Sequence, residues 1–185
     1  ALQLTPHLTT LLAGLANALK WWGRRFPDRT PDHPLVSFMA LTAGLRAPAV
    51  NALMKRLVLP ERQADKVRTV TRRLQPILRR MGRRRPLTPS QAYRLLLGLP
   101  DEGLILLVAE TASASVKRLV STYLTTYQPA TLAISGKTLA SMGLNSGPIY
   151  KAILDTVLDA KLDGTVTTPR EERELAQRLM KKVAV

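Results

Sequence analysis

Three of this chain's four threonine–proline pairs set the architecture it can adopt. Thr5-Pro6, Thr88-Pro89 and Thr168-Pro169 each place a capping hydroxyl before a proline, at the first helical position, where a missing N–H costs nothing. Thr88 with Gln91, and Thr168 with Glu171, complete capping boxes. Aromatic residues make up only 4% of the chain while Leu and Ala abound, which favours helix over strand. The fold class expected is all-α. Reading between start and stop signals predicts helices over 6–26, 34–45, 48–58, 60–81, 89–98, 101–113, 115–127, 137–142, 148–162 and 169–182. The longer linkers are "PDRTPDHP" (27–34), "GRRRPLTP" (82–89) and "QPATLAISG" (128–136), and the first and last of these are the best candidates for boundaries. The division expected is 1–128, carrying a basic helix near 60–85, and 129–185, carrying a Gly-rich turn.

Composition closes off several classes. At 185 residues and 45% hydrophobic the chain can bury a real core and is no disordered tail. It has no cysteine, which rules out disulfides and cysteine zinc sites and fits a cytoplasmic location. His7 and His33 lie far apart and outside any H-E-x-x-H spacing, so no metal site is expected. A Ser/His/Asp set would need one of these two histidines, and no G-x-S-x-G elbow accompanies them. The longest apolar runs, such as Leu104 to Ala109, fall far short of the roughly 20 residues a membrane span needs. The N-terminus lacks the basic region and cleavage site of a signal peptide. The chain holds 28 Lys+Arg against 13 Asp+Glu, a formal net charge of +15, so a polyanion is the first partner to consider.

The charge is concentrated. Lys66 to Arg85 contains nine Lys/Arg, and no acidic residue occurs between Asp65 and Asp101. On a helix at about 100° per residue, Val67, Val70, Leu74, Ile77, Leu78 and Met81 form one stripe. Arg68, Arg72, Arg73, Arg79 and Arg80 fall opposite, with Pro76 inside the segment as a point of kinking or breakage. A plain solvated face mixes signs to gain i,i+4 pairs. This face is expected to do without them, and its arginine forks suit phosphate oxygens. The RNA contacts expected here are Arg68, Arg72, Arg79 and Arg80, continued by Arg83, Arg84 and Arg85 at the flexible end.

A second candidate lies in "TLASMGLNSGPIYKAILDTVL". Gly143 can take the left-handed cap of one helix, and Gly147-Pro148 begins the next. A tight turn feeding a helix N-terminus lines up N–H groups beside a positive dipole end, a site for phosphate that reads no bases. Gly143, Asn145, Ser146 and Gly147 would form that corner, with Lys137 and Lys151 adding charge. The pattern looks like a helix-hairpin-helix element, and close packing alone also produces such corners.

From Ile134 to Leu179, "ISGKTLASMGLNSGPIYKAILDTVLDAKLDGTVTTPREERELAQRL" resembles the C-terminal tail of bacterial tRNA nucleotidyltransferases of the CCA-adding class and their poly(A) polymerase relatives. The likeness extends more weakly through 87–113 and 116–129. Thr138 stands where the family has an acidic residue, and Ser146 where a proline is frequent. The resemblance implies a helical body and tail that grip tRNA while a separate head, in the same or another chain, adds nucleotides to the 3′ end. That head would use Mg2+ with CTP or ATP. Its carboxylate signature, D-x-D, occurs nowhere in this sequence, so the chain is expected to be non-catalytic, to hold no cofactor and to bind no small-molecule substrate. Asp155 and Asp159 read instead as surface partners of Lys151. Ala1 can then be the start of a fragment.

Trp21, Trp22 and Phe26 admit base stacking, but a helix-end aromatic cluster is more commonly core or seam, and the Tyr123/Tyr127 pair reads the same way. Three functions fit: the RNA-binding body and tail of a tRNA nucleotidyltransferase-type enzyme, a self-standing helical nucleic-acid adaptor, and a scaffold drawn to anionic lipid. The apolar residues of the basic helix are the kind a core claims, which counts against the last. The first is the reading preferred.

Overall fold

The computed structural model describes residues 6–82, 86–144 and 147–183. They form α-helices and turns, with no strand among the described residues. In chain order these are α1 (Pro6–Arg25), α2 (His33–Thr42), α3 (Ala47–Arg56), α4 (Glu61–Met81), α5 (Pro89–Leu96), α6 (Asp101–Thr111), α7 (Ala114–Thr122), a π turn at Tyr123–Tyr127, α8 (Gly136–Ser141), α9 (Pro148–Leu162) and α10 (Pro169–Val183). Both expected capping boxes form: Thr88 and Gln91 exchange backbone-to-side-chain bonds, as do Thr168 and Glu171. The segment expected as one helix over 115–127 changes its bonding at Tyr123, where the Gln128 N–H reaches back five residues to the Tyr123 carbonyl. No described helix is long and apolar enough to cross a membrane.

The chain forms two compact units, 1–86 with 96–122, and 87–95 with 123–185. These bounds differ from a single cut after 128: residues 87–95 join the second unit, and its longer stretch starts at Tyr123.

In the first unit, α6 is the centre. Glu102 through Ala109 are all buried, and the helix packs against α1, α2, α4 and α7. A helix apolar all round must be covered all round, and its neighbours supply single stripes. Leu11, Leu15, Ala18 and Trp22 come from α1, and Ala64, Val67, Val70, Leu74 and Ile77 from α4. Pro76 is exposed, and α4 runs through it without interruption. Two glycines allow close approach. A Cβ at Gly14 would lie 2.6 Å from the Ala109 carbonyl oxygen, and one at Gly103 2.7 Å from Val70 Cγ2.

The N-terminal end of α6 carries the polar framework. Arg29 makes a two-pronged pair with Asp101 at 2.9 and 2.8 Å, and its carbonyl accepts from the Trp22 indole. Glu102, buried, accepts from Lys66 Nζ at 2.6 Å and from the Asp32 N–H. Asp32 in turn caps α2 through the Leu35 N–H and accepts from Gln63. The linker 27–32 is thus pinned by side chains from α4 and α6.

In the second unit Ile134, Leu139, Ile153, Val157 and Ala176 form the core. Buried Glu172 organises the segment before α8: it accepts from the Ala133 and Ile134 N–H groups and pairs with Lys161 at 2.7 Å. Asp163, just past α9, accepts from the Ser90 N–H and hydroxyl at 2.8 and 2.7 Å, capping α5 from 73 residues away. Burial pushes the Asp163 carboxyl up, but the Ser90 and Thr88 donors outweigh it and hold it below the usual aspartate range.

Gly14→Ala is expected to destabilise the chain by about 1–3 kcal/mol, because backbone must move. Gly23→Ala, in the same helix with nothing within 4 Å, should be neutral or stabilising. Urea denaturation of both measures the contrast. Because the folded pKa of Asp163 is depressed, its contribution is complete above the unfolded value of about 4 and is lost as pH falls through the folded one. The urea midpoint gap between wild type and Asp163→Asn should accordingly be widest near neutrality and narrow in acid.

Candidate nucleic-acid interface

The first candidate surface is the outer side of α4. Its apolar stripe faces the core as the periodicity predicts, which commits the arginines to the other side. They do not all remain available. Arg68 bonds both Glu61 and Asp65, at 2.8 and 2.5 Å, so the first turns of this face do carry a local pair, contrary to the expectation that the face dispenses with them. The Arg68 guanidinium, through its hydrogen bond and its charge, holds the Glu61 carboxyl below the usual glutamate range. Arg73 is half-buried and donates to the Leu97 carbonyl, lying against the turn at Gly98, where φ is +75°. It closes the turn after α5. Arg80 is half-buried and already engaged. Arg72 and Arg79 are exposed and have no acidic partner among the described residues. Arg83, Arg84 and Arg85 lie outside the described residues.

The second candidate is the corner between α8 and α9. Gly143 takes φ +89°, and the N–H groups of Gly143 and Leu144 bond back to Ala140 and Leu139, closing α8 in the left-handed cap that the sequence suggests. Gly147 is different. Its backbone is extended (φ 169°), and among the described residues nothing lies within 4 Å of where a Cβ would stand. Neither conformation nor packing requires a glycine there. Both glycines are exposed. From 147 to 150, Pro148 has no N–H and the Tyr150 N–H turns to the Gly147 carbonyl, so the remaining amides belong to Gly147 and Ile149. Asn145 and Ser146 lie outside the described residues.

Tyr150 braces the corner, a role the sequence reading missed. Its hydroxyl donates to the Leu144 carbonyl at 2.6 Å, and its ring lies 3.3 Å from where a Gly136 Cβ would stand. Thr138 accepts the Ser135 N–H at the start of α8. Lys151 is exposed one turn into α9. Lys137 is exposed too, but at the opposite end of α8 from Gly143, about 9 Å away along the axis. Asp155 and Asp159 do not serve Lys151. They hold Arg94 of α5, whose Nε lies 2.9 Å from Asp159, with the Asp155 carbonyl accepting a further bond. No local spacing links residues 61 and 65 positions apart, so this pairing had no signal in the sequence.

The aromatic cluster divides. Trp22 and Phe26 are buried, whereas Trp21 is half-buried and stands edge-on to both.

No protein-family model matches the chain. It is 31% identical over 182 residues to the A-adding tRNA nucleotidyltransferase of Geobacter sulfurreducens, a match covering 96% of this chain and 21% of that protein. The Thermotoga maritima CCA-adding enzyme complexed with tRNA matches it in fold with a TM-score of 0.76, at 21% identity, over 97% of this chain and 42% of the other. A CCA-adding enzyme in complex with CTP matches with a TM-score of 0.72, at 21% identity, over 98% and 42%. The chain thus spans about a fifth of its curated relative and about two fifths of its structural neighbours. The resemblance carried by Ile134 to Leu179 therefore extends over nearly the whole chain, which is similar in sequence to part of an A-adding tRNA nucleotidyltransferase and in all-α fold to part of a CCA-adding enzyme.

Proposed function

We propose that this chain is the RNA-gripping helical body and tail of a tRNA nucleotidyltransferase-type enzyme, and that it holds folded tRNA by its sugar-phosphate surface. The observation that carries the reading is the charge segregation on α4. The helix buries one apolar stripe, leaves Arg72 and Arg79 exposed with no counter-charge among the described residues, and is followed by no acidic residue until Asp101. Phosphate oxygens are the partner such guanidinium groups fit best. The open corner at Gly147, with Lys151 one turn on, is the second contact, where backbone amides and the positive end of α9 meet a phosphate. Arg68 is a weaker contact, since RNA must compete with Glu61 and Asp65 for it.

Nucleotide addition belongs in this reading to a head domain outside these 185 residues, working with Mg2+ and CTP or ATP. The residues here do not fit a metal pair. The sequence has no D-x-D, and among the described residues no three His, Asp or Glu side chains are grouped to hold an ion.

Filter binding of folded tRNA tests the reading. Affinity should fall by roughly 0.7–0.9 log units per engaged phosphate for each decade of salt. Arg72→Glu with Arg79→Glu should weaken all tRNAs about equally and flatten that slope, while Arg68→Gln does much less. Full affinity in the double variant overturns the α4 assignment. Gly147→Val should leave circular dichroism and stability unchanged and reduce tRNA affinity, because its backbone suits any residue. Gly143→Val should instead cost about 1–3 kcal/mol of stability from its left-handed φ. Unchanged affinity in Gly147→Val removes the corner from the interface.

A further inference from the structure

A cleft of about 490 Å³ opens in the first unit between α1 and the turn that joins α6 to α7. Asn17, Lys20, Trp21 and Arg24 line it from α1, sharing one face at i, i+3, i+4 and i+7 spacing. Ala112, which ends α6 at φ 47°, and Lys117 line it opposite. Small residues leave the space: Gly14 and Ala18 are the α1 side of its floor.

The charge here is unusual in its placement. Lys20, Arg24 and Lys117 have no carboxylate partner among the described residues, and no acidic residue lines the cleft. Lys20 and Arg24 are like charges at i,i+4, an arrangement that destabilises a helix. Lys117 sits near the N-terminal end of α7, where the helix dipole disfavours a cation. Neighbouring Arg25 is occupied, bonding Ser121 and lying over the Phe26 ring. The dipole of α1 favours Arg24 in its last turn, but three cations share one cavity that no acidic residue lines, and an anion there would neutralise them; beside them stands a half-buried indole, edge-on to Trp22 and Phe26.

We propose that this cleft is a nucleotide-binding site, distinct from α4 and the α8–α9 corner, in which a phosphate sits among Lys20, Arg24 and Lys117 and the base lies against Trp21. Asn17 offers one donor and one acceptor group to a base edge. The occupant is a nucleoside phosphate, supplied either as an unpaired residue of an RNA strand or as a free nucleotide. Stacking tolerates any base, so selectivity among bases is weak.

The test is fluorescence anisotropy of a labelled five-nucleotide oligoribonucleotide with the 185-residue chain at low salt, with AMP as competitor. Trp21→Leu and Arg24→Glu should each weaken binding by about fivefold or more. Trp21→Phe, which keeps an aromatic face, should retain most of it. Arg173→Glu on α10, an identical charge change elsewhere, should have little effect, and thermal melting should confirm that every variant is folded. Competition by AMP as strong as by unlabelled oligonucleotide identifies a free-nucleotide site, and competition by oligonucleotide alone identifies a strand site; both support the cleft. Binding that Arg173→Glu weakens as much as Arg24→Glu, or that Trp21→Leu leaves intact, overturns the proposal. Retained oligonucleotide binding in the Arg72→Glu, Arg79→Glu variant separates this site from the tRNA grip, so either can fail alone.

Discussion

The first unit depends on covering one helix on all sides. Because α6 is apolar around its circumference, it can exist only where α1, α2, α4 and α7 each lend it an apolar stripe. That demand fixes which face of α4 is inward, and the arginines are outward as a consequence. It also explains why the polar chemistry gathers at the start of α6, where backbone donors and buried Glu102 need partners. Lys66 and the Asp32 N–H both donate to Glu102 Oε1, so Lys66, like Arg73, belongs to the cationic segment yet serves the fold rather than the surface.

The same sorting applies across the basic residues. Arg29, Lys66, Arg73, Arg94 and Lys161 fasten linkers, turns and carboxylates inside the protein. Arg72 and Arg79 on α4, Lys151 beside the corner, and the three cations around the Trp21 cleft do no such work. Net charge drew attention to polyanions, but the pairing decides which residues meet them. Exposed ion pairs of the Arg68 type contribute little stability and can exchange partners at modest cost.

Helices were legible wherever caps and apolar periodicity agreed, as at Thr88-Pro89 and Thr168-Pro169, since both signals are local. The α4 stripe was legible for the same reason. Residues coupled over long separations were not: Asp163 with Ser90, Arg94 with Asp159, and Glu172 with the Ala133 and Ile134 amides leave no spacing to read. The π turn escaped because Tyr123 and Leu124 continue the helical pattern while the hydrogen bonding shifts by one residue. At the corner, the sequence treated its two glycines alike. Only Gly143 is conformationally required; Gly147 remains as a position kept bare.

The path of the chain between the units has a consequence for how it reaches its fold. Residues 87–95 leave the first unit, complete part of the second, and the chain then returns to build α6 and α7. During synthesis, Ser90 and Arg94 emerge long before Asp159 and Asp163 exist to receive them, so α5 must wait, half-made, for the far end of the polypeptide. A protease cut or gene truncation at residue 128 would leave every residue of the first unit on one piece but would strip the second of 87–95 and of the turn that starts at Tyr123.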